Sequence, residues 1–468
     1  MDAASWQAVS RNSEGVMPKF IRREAIDLVQ RISSDRRILI LAWLIIAAEA
    51  AFAMYHFRPW EIGDSEHYLL LAQNLDQGRY GTVTAAGFEP DALRPPGYPI
   101  ILWLLLHLVG LPIVAVVALQ LVAFCAAIFA IQRAMFPRSG GALFVLVTAL
   151  YPFPLLYSVY LLTEAWAIAA TTAAALLVVR RDWRRYALAG MAAGAGALIR
   201  TDLLLLPLLL AAILFIRDRG AGESWLSAAK LAILPPLAAG ALLLPYAIWN
   251  EVNFGRLTPV PVAGAVGTSL YLSTWQDQLD WDDIDALERG RITGHMEEIG
   301  LAPAVRKLNH EIGAPENILA FDPHAYPTVK LRIAAGQAFK RAAIQRISAD
   351  PMNYAGHIVH NLWALWVTKR YSGLPTSVSA GLMISSFLVF LLGFAGMGVS
   401  LVRPRTAPLP WLLVPVALYP FAIHLWLHTE ARYTAATRPL LIMFAAGFVI
   451  WLARPANREH GAPQGFSH

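Results

Sequence analysis

Apolar runs of roughly 15 to 25 residues recur along this chain, about the length an α-helix needs to cross the hydrocarbon core of a bilayer. They lie near residues 38–57, 112–134, 140–158, 161–180, 185–199, 202–217, 225–249, 377–402, 409–428 and 433–452. Lipid offers main-chain groups no hydrogen bonds, so such runs fold as helices that satisfy their own backbone. Composition agrees, because 57% of the 468 residues are hydrophobic and only 15% are charged, outside the range of an ordinary soluble domain. The expected fold is an all-α integral membrane protein of about ten transmembrane helices, with juxtamembrane helices on its outer face and a small extramembrane domain.

Charge orients the spans. Arg36 and Arg37, Arg133 and Arg138, Arg180 to Arg185, Arg217 and Arg219, Arg403 and Arg405, and Arg454 flank apolar runs. The positive-inside rule puts them all in the cytoplasm, and ten spans satisfy that for every cluster. The apolar stretch Gly97 to Gly110 is too short for a comfortable crossing, and counting it would send Arg180 to Arg185 outside. It reads as a helix along the outer surface, entered through Pro95 and Pro96. The formal charge of +6 therefore reports topology and not a nucleic-acid partner.

The expected organisation is a cytoplasmic basic segment (1–37), a transmembrane module (38–249) with a first outer loop (58–111), an extracytoplasmic domain (250–376), C-terminal transmembrane helices (377–453) and a cytoplasmic tail (454–468). The first apolar run shows no cleavage pattern and reads as a signal anchor. The expected location is therefore a membrane, with the first outer loop on its outer face. Cys125, the one cysteine, sits in an apolar run as a small packing group. No internal repeat suggests a two-half transporter.

This topology gathers the unusual polar residues on the outer side. Asp64 and Glu66 follow the first span, Arg94 precedes the surface helix, Glu164 opens the fourth span, Arg200 and Asp202 join the fifth to the sixth, and Glu430, Arg432 and Tyr433 open the last. A charge at a span boundary often only snorkels to the interface. Glu164 is harder to explain so, because its neighbours Leu161, Leu162, Ala165 and Trp166 are apolar and a carboxylate there needs a partner or a polar cavity. His357 and His360 have helical spacing compatible with a metal but lack a nearby third ligand, and the acidic run Asp277 to Glu288 reads as a solvated face.

Acids and arginines on an outer face suit group transfer from a donor that the membrane delivers, since nucleotide-activated substrates stay in the cytoplasm. A lipid phosphate carrying a sugar fits. Arginines hold the departing phosphate while a carboxylate takes the proton of an attacking hydroxyl. The lack of a GxxxxGK[ST] loop agrees with a donor that is not a nucleotide.

The ordered residues resemble the polytopic GT-C glycosyltransferases, in the branch of the protein O-mannosyltransferases and the lipid A aminoarabinose transferases. Asp64-Ser65-Glu66-His67-Tyr68 looks like the acidic motif of their first outer loop, and Arg94-Pro95-Pro96-Gly97-Tyr98 like their basic-Pro-Pro segment. Thr163-Glu164, Gly194 to Arg200, Asn250 with Phe254-Gly255, and Glu430-Ala431-Arg432-Tyr433 follow in the same order. The resemblance implies a polyprenyl-phosphate sugar donor, a glycolipid, polysaccharide or protein acceptor, and inversion at the anomeric carbon. It implies Asp64 as catalytic base and Arg94 as a phosphate ligand; Glu66 and Glu164 are the further acids expected at the site, and Arg200 or Arg432 the further cation expected at the phosphate. Tyr68, Tyr98, Asp202, Asn250, Glu430 and Tyr433 are the expected substrate contacts. No cofactor is required, and a divalent metal is compatible. The chain departs from the pattern at Ser65, where relatives carry a second acid, and at Trp249, where many carry arginine.

Two rival readings use the same charges. A lipid flippase or secondary transporter would carry ionisable groups near mid-span, whereas those here cluster at outer ends. An O-antigen ligase or polymerase would use a lipid diphosphate donor.

Overall fold

The structure, a computed structural model, describes residues 19–56, 64–84, 87–137, 139–263, 266–280, 282, 283, 286, 291–316, 326–366, 376–404, 407 and 409–454. Gly63, Arg138 and Arg405 lie outside the described residues, as do parts of the expected terminal segments, first outer loop and extramembrane domain.

Helices make up nearly all of it. Five are long and apolar enough to cross a bilayer: Arg36–His56, Ile113–Met135, Trp225–Phe254, Ser377–Val402 and Ala431–Leu452. Glu164–Leu177 and Trp411–His424 are apolar but shorter. At 1.5 Å per residue the first of these reaches about 21 Å, less than a hydrocarbon core of about 30 Å. Length and apolarity among the described residues thus support five crossings.

Several expected spans are broken, and proline explains the breaks. The run 140–158 divides into Gly141–Ala149 and Phe153–Ser158 around Pro152 and Pro154. The run 225–249 divides into Trp225–Ala232 and Leu234–Phe254, where Pro235 occupies the first turn of the second helix. Proline has no N–H for the helical ladder, so it starts a helix well and continues one poorly. The Gly97 stretch is helical to Trp103 and continues as a π-turn through Leu104–Leu108. The first outer loop also departs from an all-helical expectation, since Gly81–Thr84 and Gly87–Pro90 pair as an antiparallel β-hairpin, β1 and β2.

Close helix packing comes from small residues, as in other lipid-embedded bundles where apolar burial alone gives no preference for protein over lipid. The Trp183–Ile199 helix carries Gly190 and Gly194, one turn apart, against Pro235 and Ala239 of the Leu234–Phe254 helix. A Cβ on Gly190 would stand 2.2 Å from the Pro235 carbonyl oxygen. Gly393 and Gly396 admit Leu441 and Phe444 of the last helix in the same manner.

Two polar layers cap opposite ends of these helices. Glu164 opens the Glu164–Leu177 helix, and just past its other end the Val178 carbonyl accepts from Arg217. Arg200 ends the Trp183–Ile199 helix, and Asp182 caps its start beside Arg181, Asp218 and Glu223. The amphipathic helix Lys19–Ser34 joins a third group of helix ends, where Gln30 donates to the Ala453 carbonyl and Gly140 N–H to that of Ser33.

The segment after Phe254 has a core of its own, built from Tyr271, Trp275, Leu301, Val305 and Phe339. It grips the bundle at two places. Glu89 of β2 accepts from the Val329 N–H, and Ala263 N–H donates to the Ala92 carbonyl, next to Arg94. Gln276, Tyr354 and Asn361 bond the main chain of 425–429, just before Glu430. Its acidic run is not simply a solvated face: Asp283 is fully buried, accepts from Thr293, and lies 2.6 Å from His295.

Candidate active site

Asp64 is the first residue of the helix Asp64–Leu75, where a carboxylate also complements the positive end of the helix dipole. One turn on, Tyr68 lies on the same side, and Glu66, about 200° around the helix at 100° per residue, does not. Accordingly Glu66 is exposed and takes no part in the cluster's contacts, whereas Tyr68 is buried under the Arg94 guanidinium, 5.2 Å from its ring centre.

Arg94 donates to Asp64 Oδ1, and Arg432 approaches Asp64 Oδ2 at 3.7 Å. Arg432 Nε is 2.7 Å from a carboxylate oxygen of Glu430, and the Tyr433 hydroxyl donates to the other at 3.3 Å. Arg200 faces a second set of acids. It donates to Glu164 at 3.0 Å, to Asp202 at 2.9 Å and to Thr163 at 3.3 Å. His424 completes this set at 3.0 Å from Asp202 and stacks on Tyr433 at 4.8 Å, linking the two halves.

Exposure sorts the roles. Asp64, Arg94, Arg432 and Glu430 keep 31%, 21%, 22% and 23% of their side chains accessible, but Glu164 keeps 2%. Substrate can reach the first four; Glu164 is sealed behind Arg200. Burial pushes the Asp64 pKa up, but Arg94 and Arg432 beside it and the Arg94 hydrogen bond outweigh burial and hold it down at about 2. Burial pushes Tyr68 up to about 12, so its ring faces Arg94 uncharged at neutral pH.

Two expected substrate contacts stand apart from this opening. Tyr98 is fully buried with its hydroxyl donated to Gln120 at 2.7 Å, and Asn250 is fully buried, donating to the Thr258 and Val260 carbonyls at 2.7 and 3.1 Å. Trp249 packs edge-on against Tyr80, whose hydroxyl donates to the Arg94 carbonyl. The cation that approaches Asp64 from elsewhere is Arg432.

Sequence reasoning passed over His424, His428 and Asp91. His428 Nε2 lies 3.8 Å from Glu430. The spacing of His424, His428 and Arg432, four residues each, was a usable signal. Two ionisable residues also sit inside spans, against the expectation of little polarity there. Glu49 lies on the face of the first span that carries the buried Ala42, Ile46 and Ala53. Arg438 is fully buried, stacked 3.6 Å from the Phe153 ring centre, and donates to the Leu365 and Ala431 carbonyls and to Thr434.

Among the described residues, metal-type ligands do not gather at Asp64, because Arg432 lies between its carboxylate and that of Glu430. Among the described residues, the group of three that could hold a metal is Asp280, Asp283 and His295 in the segment after Phe254. His357 instead pairs with Asp277 at 3.1 Å.

No protein-family model matches the sequence, and neither does any curated protein. Among solved structures, the chain is similar to the archaeal oligosaccharyltransferase AglB from Archaeoglobus fulgidus in complex with an inhibitory peptide and a dolichol-phosphate. That match has 12% identity and a TM-score of 0.47 over 87% of this chain and 50% of the other. It is also similar to ArnT from Cupriavidus metallidurans bound to undecaprenyl phosphate, with 13% identity and a TM-score of 0.36 over 88% of this chain and 78% of the other. The chain thus spans about half the length of the oligosaccharyltransferase it matches.

Proposed function

We propose that this protein is an integral membrane glycosyltransferase that moves a sugar from a polyprenyl-phosphate donor to an acceptor hydroxyl, with inversion, on the outer face of the membrane. The observation that carries the reading is one accessible carboxylate, Asp64, held between two accessible guanidiniums at the end of an apolar bundle. The donor's prenyl chain lies against the bundle, and its phosphate draws Arg94 and Arg432 from Asp64. That exchange frees the carboxylate and restores its basicity. The acceptor oxygen then bonds to the anomeric carbon as the bond from that carbon to the phosphate oxygen breaks. Asp64 takes the hydroxyl proton, and the lipid phosphate leaves with its charge held by the arginines. Glu164 and Asp202 hold Arg200 in place behind this opening. The outer segment, bonded beside Arg94 and beside Glu430, encloses the acceptor.

The test is to incubate purified protein with a panel of polyprenyl-phosphate sugars and follow the released lipid phosphate by mass spectrometry. Wild type releases it from at least one donor, and Asp64→Asn does not while still binding that donor, because the change removes the base but little volume. Normal release by Asp64→Asn rejects Asp64 as the base. No release from any donor favours a transporter.

A further inference from the structure

Behind the accessible cluster lies a buried pair with no place in the chemistry above. Asp91, at the foot of β2, and His67, one turn beyond Asp64, are 0% and 2% exposed, and His67 Nε2 lies 3.0 Å from Asp91 Oδ1. The other oxygen, Oδ2, accepts the main-chain N–H groups of Leu93 at 3.1 Å and Arg94 at 2.7 Å. One carboxylate therefore touches both the helix that presents Asp64 and the turn that presents Arg94. The far side of that turn is held too, since the Arg94 carbonyl accepts the hydroxyls of Tyr80 at 2.8 Å and Tyr246 at 3.3 Å. Both main-chain polar groups of Arg94 are thus fixed by buried or half-buried side chains.

We infer that Asp91 and His67 are positioning residues, a buried strut that sets the Arg94 guanidinium against Asp64 and holds it ready for the donor phosphate. Neither can touch substrate. A short polar strut is stiffer than apolar contact here, because a buried carboxylate that loses a partner keeps an unmet demand for hydrogen bonds and so resists sliding. The displacement that matters is small, as about 1 Å at a phosphate ligand can cost about a hundredfold in rate.

The inference rests on the transferase reading, and binding of undecaprenyl phosphate separates the two. His67→Phe keeps a ring of similar size but removes the donor to Asp91; it should weaken lipid-phosphate binding and lower kcat/KM about 10- to 100-fold. His67→Gln keeps an N–H near Nε2 and should stay within about threefold of wild type. In an Arg94→Ala background, His67→Phe should weaken lipid-phosphate binding no further, since it acts through Arg94. Equal losses in His67→Phe and His67→Gln, or additive losses with Arg94→Ala, overturn the strut. If Arg94→Ala itself leaves lipid-phosphate binding unchanged, Arg94 does not hold the phosphate and the strut is overturned, whereas the transferase reading fails only if wild type releases lipid phosphate from no donor. Should His67→Phe not fold, Asp91→Asn enters the same cycle, because its amide puts an N–H₂ toward one of the groups that the carboxylate now accepts from.

Discussion

Asp64 must be ionised to act as a base, and its resting neighbours achieve this at the expense of basicity. Its folded pKa of about 2 lies below an ordinary value near 3.9, so its pairing stabilises the fold above about pH 4 and that contribution fades as pH falls toward 2. For activity the sign is the same. In the free enzyme the acid limb of kcat/KM that reports Asp64 should fall below pH 4. Arg94→Ala removes the main source of that depression while burial continues to push the pKa up, so its acid limb should move to higher pH. The same variant should bind the donor more weakly, by about 10- to 100-fold for one charge-assisted contact. A pH profile identical to wild type, with unchanged donor affinity, would show that Arg94 governs neither the base nor the phosphate.

At the scale of elements, what holds the site together is how closely helix backbones approach. Gly97 follows Arg94 by three residues, and a Cβ on it would stand 2.6 Å from the Leu198 carbonyl oxygen, two residues before Arg200. The turn with Arg94 and the helix end with Arg200 are neighbours because Gly97 lacks a side chain. Gly190 does the same for the Trp183–Ile199 helix against Pro235, where backbone atoms leave nothing flexible to yield. Gly190→Ala should therefore cost about 1–3 kcal/mol as overpacking. It would appear as a lower thermal midpoint in detergent. Gly240→Ala, inside the Leu234–Phe254 helix with open space around it, should keep or slightly raise the midpoint, because alanine favours a helix interior. Equal midpoints for the two variants would mean that the Gly190 contact carries no packing constraint.

For the whole molecule, most of the helix-forming segments were legible as apolar runs, since each required a local count of hydropathy only. The breaks at Pro152, Pro154 and Pro235 were missed because hydropathy counts side chains, whereas a helix is interrupted by a lost main-chain N–H. The cluster's charged members were legible as misplaced charge, but Asp91 was passed over, since only its folding beside His67 gives it partners on two elements. Sidedness rests on arginine counts and can be measured. In a Cys125→Ser background, single cysteines replace three exposed residues: Gln77 near the Asp64 helix, Glu298 in the outer segment and Ala221 beside the Arg217 layer. The ten-span topology expects a membrane-impermeant maleimide to label the first two on intact cells and Ala221→Cys only after permeabilisation. Labelling of Ala221→Cys on intact cells and of Gln77→Cys only after permeabilisation would reverse the sides of the two polar layers. It would also place Asp64 where nucleotide donors are available, which removes the reason to require a lipid-borne sugar.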